Sequence, residues 1–295
     1  MIEEIRHLIH HILIDHFPKI AIKREWKLTF GSNLNLKTPK SLNEKIQWLI
    51  VHEDMKEWAR LADKISVRDF VKERGHEDIL TKLYGVWDKA ENIDYNMLPD
   101  KFVIKCNHDC GSTHIIDKAK GFDKEKLNQE LNKRVAKRFG YESTEPHYTK
   151  IEPKIMAEEY IPLSKDINSS SQVDYKFWCF NGKIHHCFIC YDRRPDGHAS
   201  YDMYKVEDWT PCREGFPEKI QKLGFKGIPR PQNLEKMIKV AQDLSKGFPE
   251  IRVDLYNVNG KIYFGELTLS SAKGRMDYFS DSFQREMGDL TVLTK

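Results

Sequence analysis

Residues 252–273, RVDLYNVNGKIYFGELTLSSAK, decide how this chain is read. Asn259-Gly260 is a strong short-range signal for a hairpin, so the stretch predicts two strands joined at that turn. Each strand carries an acid among apolar neighbours: Asp254 between Val253 and Leu255, and Glu266 near Phe264 and Leu267. A buried carboxylate is costly unless it is paired or bound to a metal. Two of them facing each other across a hairpin would suit Mg²⁺, a hard cation that takes oxygen ligands and substrate phosphates. Register decides whether they face each other. A two-residue turn pairs Asp254 with Gly265 and puts Glu266 on the opposite face. A three-residue loop, Val258-Asn259-Gly260 with Gly260 left-handed in a bulge, pairs Arg252 with Glu266. That register sets Arg252, Asp254, Glu266 and Thr268 on one face. A metal wall needs the second register. The plainer alternative is an Arg252–Glu266 ion pair on a half-exposed hairpin.

The chain has 295 residues, enough for one large domain or two to three small ones. It is 40% hydrophobic and 32% charged, the balance of a soluble globular protein, and no apolar run approaches a membrane span. A net charge of +3 makes no global demand for nucleic acid. The opening, MIEEIRHLIHHILIDHF, lacks the order of a secretory signal. Its Ile5, Leu8, Ile9, Ile12 and Leu13 recur at helical spacing and predict a helix packed on the body. The basic flank of Lys19, Lys23, Arg24 and Lys27 sustains a second reading, peripheral association with a membrane surface. Six cysteines without secretory context imply a reducing, cytoplasmic setting. Cys106/Cys110 and Cys187/Cys190 could be counted as a four-thiolate zinc site. Cys187 and Cys190 fall in a strand-like run where they point to opposite faces, so buried free thiols are the simpler expectation.

Residues 1 to about 75 read as mainly helical. SLNEKIQWLI (41–50) opens with a capping box, Ser41 as cap and Glu44 three residues on. ADKISVRDFVKERG (62–75) reads as a helix that ends at Arg74-Gly75, with Asp63-Lys64 at its start. From residue 79 the texture turns strand-like: ILTKLYGVWD, KFVIKCNH and KIMAEEYIPL, with a charged helix over 123–139 between the last two. DYKFWCF-NG-KIHHCFICY (174–191) is a second Asn-Gly hairpin, and NLEKMIKVAQDLSKG (233–247) an amphipathic helix. Hairpins mixed with helices predict an α+β fold with largely antiparallel sheets.

Several segments could carry chemistry. In FVIKCNHDCGSTHII (102–116), Lys105 closes a strand and a loop with Gly111, Ser112 and Thr113 follows. Small residues let backbone N–H groups approach phosphate, and a lysine adds a point charge. The loop is not a Walker loop, and an ordinary polar hairpin loop is the alternative. Glu158-Glu159-Tyr160-Ile161 could supply the apolar slot and backbone groups an adenine ring needs, or could be a strand edge blunted by charge. Asp174 and Lys176 share a strand face, as a solvated pair or a phosphate contact. His108 and His114 flank the small-residue loop; no HExxH or GxSxG occurs.

The order of these segments resembles the ATP-grasp superfamily. SLNEKIQWL, ADKISVR, LYGVWD, LPDKFVIKCNHDCGS, AEEYI, DYKFWCFNGK and RVDLYNVNGKIYFGELT are similar to the TupA-like ATP-grasp proteins of bacterial surface-polysaccharide gene clusters. The resemblance covers roughly residues 40 to 285. It implies two α+β subdomains clasping ATP, over 79–160 and 161–295, behind a reduced, mainly helical region at 1–78. It implies that Lys64 and Lys105 touch the nucleotide phosphates and that Asn107 to Thr113, with Gly111 and Ser112, form a flexible flap. Glu158, Glu159, Tyr160 and Ile161 would line the adenine slot and Asp166 would hold the ribose. Lys176 would lie near the transferred phosphate, and Arg252 would steady the phosphoryl group and the later oxyanion. Asp254 and Glu266 would bind one or two Mg²⁺ ions, with Thr268 as third ligand. The usual ending is Glu-x-Asn; here it is Glu266-Leu267-Thr268, and a hydroxyl is a poorer ligand than an amide carbonyl. The usual N-terminal nucleotide-fold-like domain is replaced by helices, which leaves the acceptor site open.

The implied reaction is ATP-dependent ligation of a carboxylate to an amine through an acyl-phosphate. By analogy with the surface-polysaccharide setting, the acid is a uronic acid of a glycan or its precursor and the amine an amino acid. Two other enzymes compete. A metal-dependent glycosyltransferase would carry Asp-x-Asp at a strand end, and none occurs in this chain. A kinase of a sugar or small molecule would use the same ATP and metal residues without an amine. A non-catalytic nucleotide-binding scaffold is the remaining alternative.

Overall fold

Nine strands form two antiparallel sheets in a computed structural model that describes residues 2–194, 197–222 and 225–294, with side chains from His7 onward. The smaller sheet holds β1 (Leu83–Trp87), β2 (Lys101–Cys106), β3 (His114–Asp117) and β4 (Ile155–Glu159) in the order β1-β4-β2-β3. The larger holds β5 (Asp174–Phe180), β6 (Lys183–Tyr191), β7 (Ser200–Lys205), β8 (Ile251–Val258) and β9 (Lys261–Thr268) in the order β7-β6-β5-β8-β9. The fold is the α+β class that the mixture of hairpins and helices predicts.

Both Asn-Gly dipeptides are two-residue turns. Asn181, Gly182, Asn259 and Gly260 all have positive φ, the backbone of a tight turn that matches strand twist. Val258 therefore lies opposite Lys261, and pairing continues to Leu255 opposite Phe264. Gly265 is then an extra residue, and beyond it Asp254 pairs with Glu266 and Arg252 with Thr268. Neither register weighed from sequence is correct: the bulge lies inside β9, not at the turn. Its effect is the one a shared site requires, because an inserted residue flips the rest of the strand. Arg252, Asp254, Glu266 and Thr268 share one face.

Two cores hold the sheets. Phe102, Ile104, Ile155 and Ala157 pack with Leu127 and Leu131 of the helix Lys124–Val135. A larger core joins β5 and β8 to the helix Leu234–Ser245, through Met237, Val240, Ala241 and Leu244. Residues of the N-terminal region, among them Leu42, Ile46 and Leu49, belong to this same core. The helix Leu42–His52 carries the expected capping box: Ser41 Oγ accepts from Glu44 N–H at 3.2 Å, and Glu44 accepts from Ser41 N–H at 3.0 Å.

Three expectations need correction. The helix read over 62–75 begins at Val67. Asp63 and Lys64 occupy the turn after the helix Met55–Ala62, where the Asp63 carboxylate accepts from Ile65 N–H and Ser66 Oγ. The first helix, Ile2–His16, packs on the body, but not through its regular apolar face: Leu8, Ile9 and Ile12 are exposed and Leu13 is half-buried, while Ile14 on the opposite side is buried. Ile5, counted on that face, lies outside the described side chains. Two elements carried no sequence signal strong enough to name, β7 and the final helix Asp281–Leu290.

Candidate active site

A cleft opens between the two sheets. One wall comes from Val103, Lys105, Glu158 and Tyr160, the other from Tyr256, Phe264 and Gly265. Alternation along β2 explains the first wall: Phe102 and Ile104 point into the core, so Val103 and Lys105 face the cleft. Lys105 forms a close ion pair with Glu158. Glu158 also accepts from Thr81 Oγ1 at 2.7 Å and lies 3.9 Å from Arg68. Burial opposes its charge, but Lys105, Thr81 and Arg68 outweigh that and lower its pKa. Lys64 Nζ donates to the Asp109 carbonyl at 2.5 Å. Burial, then repulsion from Lys105, lowers the Lys64 pKa, while the charge of Glu266 pulls the other way. Lys64, Lys105 and Arg68 thus converge on one cleft, a setting suited to an anion.

Of the small-residue loop, Thr113 lines the cleft and Ser112 does not. Ser112 is buried, accepting from Cys106 N–H at 2.9 Å and donating to Asp109 at 2.5 Å. Gly111 has the left-handed backbone that glycine tolerates. The loop is tied at several points: Asn107 donates to Asp63 at 2.8 Å and accepts from Lys154 N–H at 2.7 Å, and His108 bonds the Lys137 carbonyl at 2.9 Å. Both arms are anchored, which leaves Cys110 and Gly111 as the exposed tip. Glu159, Tyr160 and Ile161 line the cleft as β4 ends, with Lys101 stacked over Tyr160 at 4.1 Å.

Farther along the hairpin, on the strand face that Tyr256 shares, lies a charged cluster whose residues are not among those lining the cleft. Arg252 grips Asp254 with two bonds, Nε to Oδ1 at 2.7 Å and Nη2 to Oδ2 at 2.9 Å. Lys176 makes a closer contact from the neighbouring strand and lies 3.9 Å from Asp174, which Arg193 binds at 2.6 Å. Burial alone would raise the Asp254 pKa; Arg252 and Lys176 overcome it and hold the carboxyl well below the usual range. Glu266 is different. Its side chain is 46% exposed, 3.4 Å from Arg252, and it accepts from Thr268 Oγ1 at 3.1 Å. Mg²⁺ commonly takes one or two protein carboxylates plus substrate phosphates. The half-exposed Glu266 carboxylate could meet such an ion; both oxygens of Asp254 are committed to cations, and Thr268 Oγ1 already accepts from Arg252 at 3.1 Å while donating to Glu266. Among the described residues no group of three or more His, Cys, Asp or Glu could hold a metal.

Beyond β9 the chain does something the sequence did not announce. Ala272, Lys273 and Gly274 are all left-handed, and for the two non-glycines this costs about 1–2 kcal/mol each. Buried polar side chains hold the turn: Gln47 donates to the Lys273 carbonyl at 2.6 Å, and Asn43 donates to the Met276 carbonyl at 3.0 Å. Ser271 Oγ accepts from Arg252 at 3.3 Å, and Ser270 donates to the buried Glu145. Tyr148, from the same segment as Glu145, lies near Glu266 and Arg252; burial and the charges of Glu145 and Glu266 push its hydroxyl pKa up. Sequence reasoning missed Arg68, Thr81, Tyr256 and Phe264 among the cleft-lining residues. Gly265 beside Glu266 was the one local signal, a strand glycine that marks a bulge or a close approach.

Asp166 does not line the cleft; it opens on a second cavity with Lys165, Tyr175, Asn233 and Asn257. Tyr256 and Asn257, consecutive in β8, point to opposite faces, so the two cavities lie on opposite sides of the sheet. His108 and His114 stand outside the cleft lining, His108 on Lys137 and His114 3.8 Å from Glu130. All six cysteines are free thiols, and Cys187 and Cys190 are on one strand, β6.

A cleft between two antiparallel sheets, with lysines on one wall and an acid-bearing hairpin on the other, is the arrangement of an ATP-grasp protein. A family profile described as TupA-like ATPgrasp matches residues 44–292, and the chain belongs to that family. No curated protein matches the sequence. The structure is similar to D-alanine–D-alanine ligase from Bacillus anthracis, at 14% identity and TM-score 0.42, covering 86% of this chain and 69% of that one. It is also similar to an L-amino acid ligase from Bacillus licheniformis, at 11% identity and TM-score 0.47, covering 86% of this chain and 55% of that one. An N5-carboxyaminoimidazole synthetase from Staphylococcus aureus complexed with ADP is similar at 14% identity and TM-score 0.43, covering 80% and 53%.

Proposed function

We propose that this protein joins a carboxylic acid to an amine at the expense of ATP, through an acyl-phosphate. The observation that carries the reading is that Lys64 and Lys105 line one cleft of a TupA-like ATP-grasp chain, with Glu266 paired to Asp254 on the strand face that Tyr256 turns to that cleft. In the first step an acceptor carboxylate oxygen forms a bond to the γ-phosphorus as the bond to the β-phosphate oxygen breaks, releasing ADP. In the second the amine nitrogen attacks the acyl carbon, the carbon–oxygen bond breaks, phosphate leaves and nitrogen loses a proton. Two anions must meet in the first step, and cations that offset their repulsion are the main need. Lys64 and Lys105 would hold the nucleotide phosphates. Arg252, anchored by Asp254, keeps Nη1 toward Ser271 and would face the acyl oxygen, with Lys176 close to the transferred group. Glu159, Tyr160 and Ile161 would border the adenine. Mg²⁺, held by Glu266 with Asp254 and Thr268 nearby, would neutralise phosphate charge when bound. A closed cleft would keep water from the acyl-phosphate.

The acid we propose is a uronic acid of a glycan or glycan precursor in surface-polysaccharide synthesis, the amine an amino acid, and the place of action the cytoplasm. The support is family membership alone for the pathway, and six free thiols for the compartment. Incubation with ATP, Mg²⁺ and pairs of acids and amines tests the reaction. Release of ADP and phosphate only when both acceptors are present supports ligation. ADP without free phosphate indicates a kinase, and ATP binding without turnover a scaffold.

A further inference from the structure

The first two helices, Ile2–His16 and Pro18–Phe30, present to solvent what a packed helix pair hides. Their inner side is accounted for. Ile14, Ala21, Ile22 and Trp26 are buried, His10 bonds the Tyr141 carbonyl at 2.9 Å, and His11 stacks on Tyr141 at 3.9 Å. The outer side carries Leu8, Ile9, Ile12, Phe17, Ile20 and Leu28, all exposed and two of them at 60% or more. Only five other large apolar side chains are exposed among the described residues, and they are scattered from Val86 to Val292. Isolated exposed apolar residues are ordinary; six within 21 residues are not.

Charge accompanies the apolar side chains. Lys19, Lys23 and Lys27 recur every fourth residue and form one stripe of the second helix, with Ile20, Arg24 and Leu28 as the stripe beside it. All four cations are exposed, and none joins an ion pair among the described residues. Two acids of the pair whose side chains are described are engaged elsewhere: Tyr141 donates to Asp15 at 2.6 Å, and Glu25 exerts its charge on Arg275.

We propose that this helix pair is a membrane-surface element that lays its apolar side chains into the boundary of an anionic bilayer while the lysines and Arg24 meet lipid headgroups. No described helix is long and apolar enough to cross a membrane, so the pair lies on the surface. Charge decides between a bilayer and a second copy of the chain. A two-fold contact would set this face against itself and bring four cations toward four cations, whereas an anionic surface accommodates all of them. The inference stands apart from the ligase reading, because no residue of the cleft takes part.

Co-sedimentation of the full chain with neutral and anionic phospholipid vesicles, at low and high salt, tests it. Binding is expected to anionic vesicles and to weaken with salt. It should fall about tenfold or more in Lys19→Glu/Lys23→Glu and in Ile9→Ser/Ile12→Ser, all exposed sites where circular dichroism should stay unchanged. No preference for anionic over neutral vesicles overturns the proposal. So does binding that survives both double variants, or a concentration-dependent dimer that either variant dissolves.

Discussion

Asp254 and Glu266 are paired across one bulge, yet they have different chemistry. Asp254 is buried and spoken for by Arg252 and Lys176; Glu266 is half exposed and bound to one hydroxyl and the edge of a guanidinium. Removing charge from the exposed acid should spare the fold and strike the reaction. Glu266→Gln should lose about 100-fold or more of ADP release while circular dichroism and ATP affinity hold. Turnover close to that of the unaltered protein would remove Glu266 from the site. A third carboxyl, Glu250, is buried with Trp178 Nε1 donating to one oxygen at 2.9 Å and the other oxygen without a partner. Burial pushes it up to about 8, against the opposing pull of Trp178 and Arg252. A carboxyl raised in the folded state contributes stability below its unfolded pKa and loses it as pH climbs to the folded value. Glu250→Gln should therefore gain stability relative to the parent between about pH 5 and pH 8, at up to about 1.4 kcal/mol per pH unit. Urea unfolding at several pH values reads the difference, in which shifts common to both proteins cancel. A flat difference would show that Glu250 ionises normally.

At the scale of the hairpin, Gly265 is the residue on which the site turns. A Cβ there would stand 2.9 Å from the Asp254 carbonyl and 3.3 Å from the Tyr256 ring. Gly265→Val should cost about 1–3 kcal/mol by overpacking and should weaken ATP binding, since Gly265 lines the cleft. Isothermal titration with denaturant unfolding checks both, and unchanged affinity would separate the bulge from nucleotide binding. With the two-residue turn, strand alternation made opposite faces for Asp254 and Glu266 the legible expectation, and their shared face comes only from the bulge at Gly265. The bulge itself was not legible: a strand glycine marks either a bulge or a weak strand, and only the packing of Asp254 and Tyr256 selects one. The Asn-Gly turns and the Ser41–Glu44 box were legible because their partners lie within a few residues. The helix Leu42–His52 carries a second message that sequence hides. Asn43 and Gln47 read as ordinary polar residues, but they are buried to hold the left-handed turn near residue 273, more than 220 residues away.

Across the whole molecule, the cleft belongs to neither sheet alone. Lys64 and Lys105 sit with the smaller sheet, Tyr256 and Gly265 with the larger. A ligand that binds only this folded arrangement stabilises it, by about 2.7 kcal/mol at a hundredfold excess over its Kd. ATP should raise the thermal unfolding midpoint, and Lys105→Ala should remove most of that rise. A midpoint indifferent to ATP would show that the cleft is not its site.

The sequence by itself determined the α+β class, the two hairpins with their turns, the lysine-and-loop segment and the family. These depend on alternation, turn chemistry and order along the chain, all carried by near neighbours. Only the tertiary structure decided that Lys176 and Arg252 occupy Asp254, that Asp166 faces another cavity, and that the first helix turns its regular apolar face to solvent. Each of those outcomes depends on a surface supplied by a distant segment. A helical stripe states that one face is apolar; what lies against that face is settled by the rest of the fold.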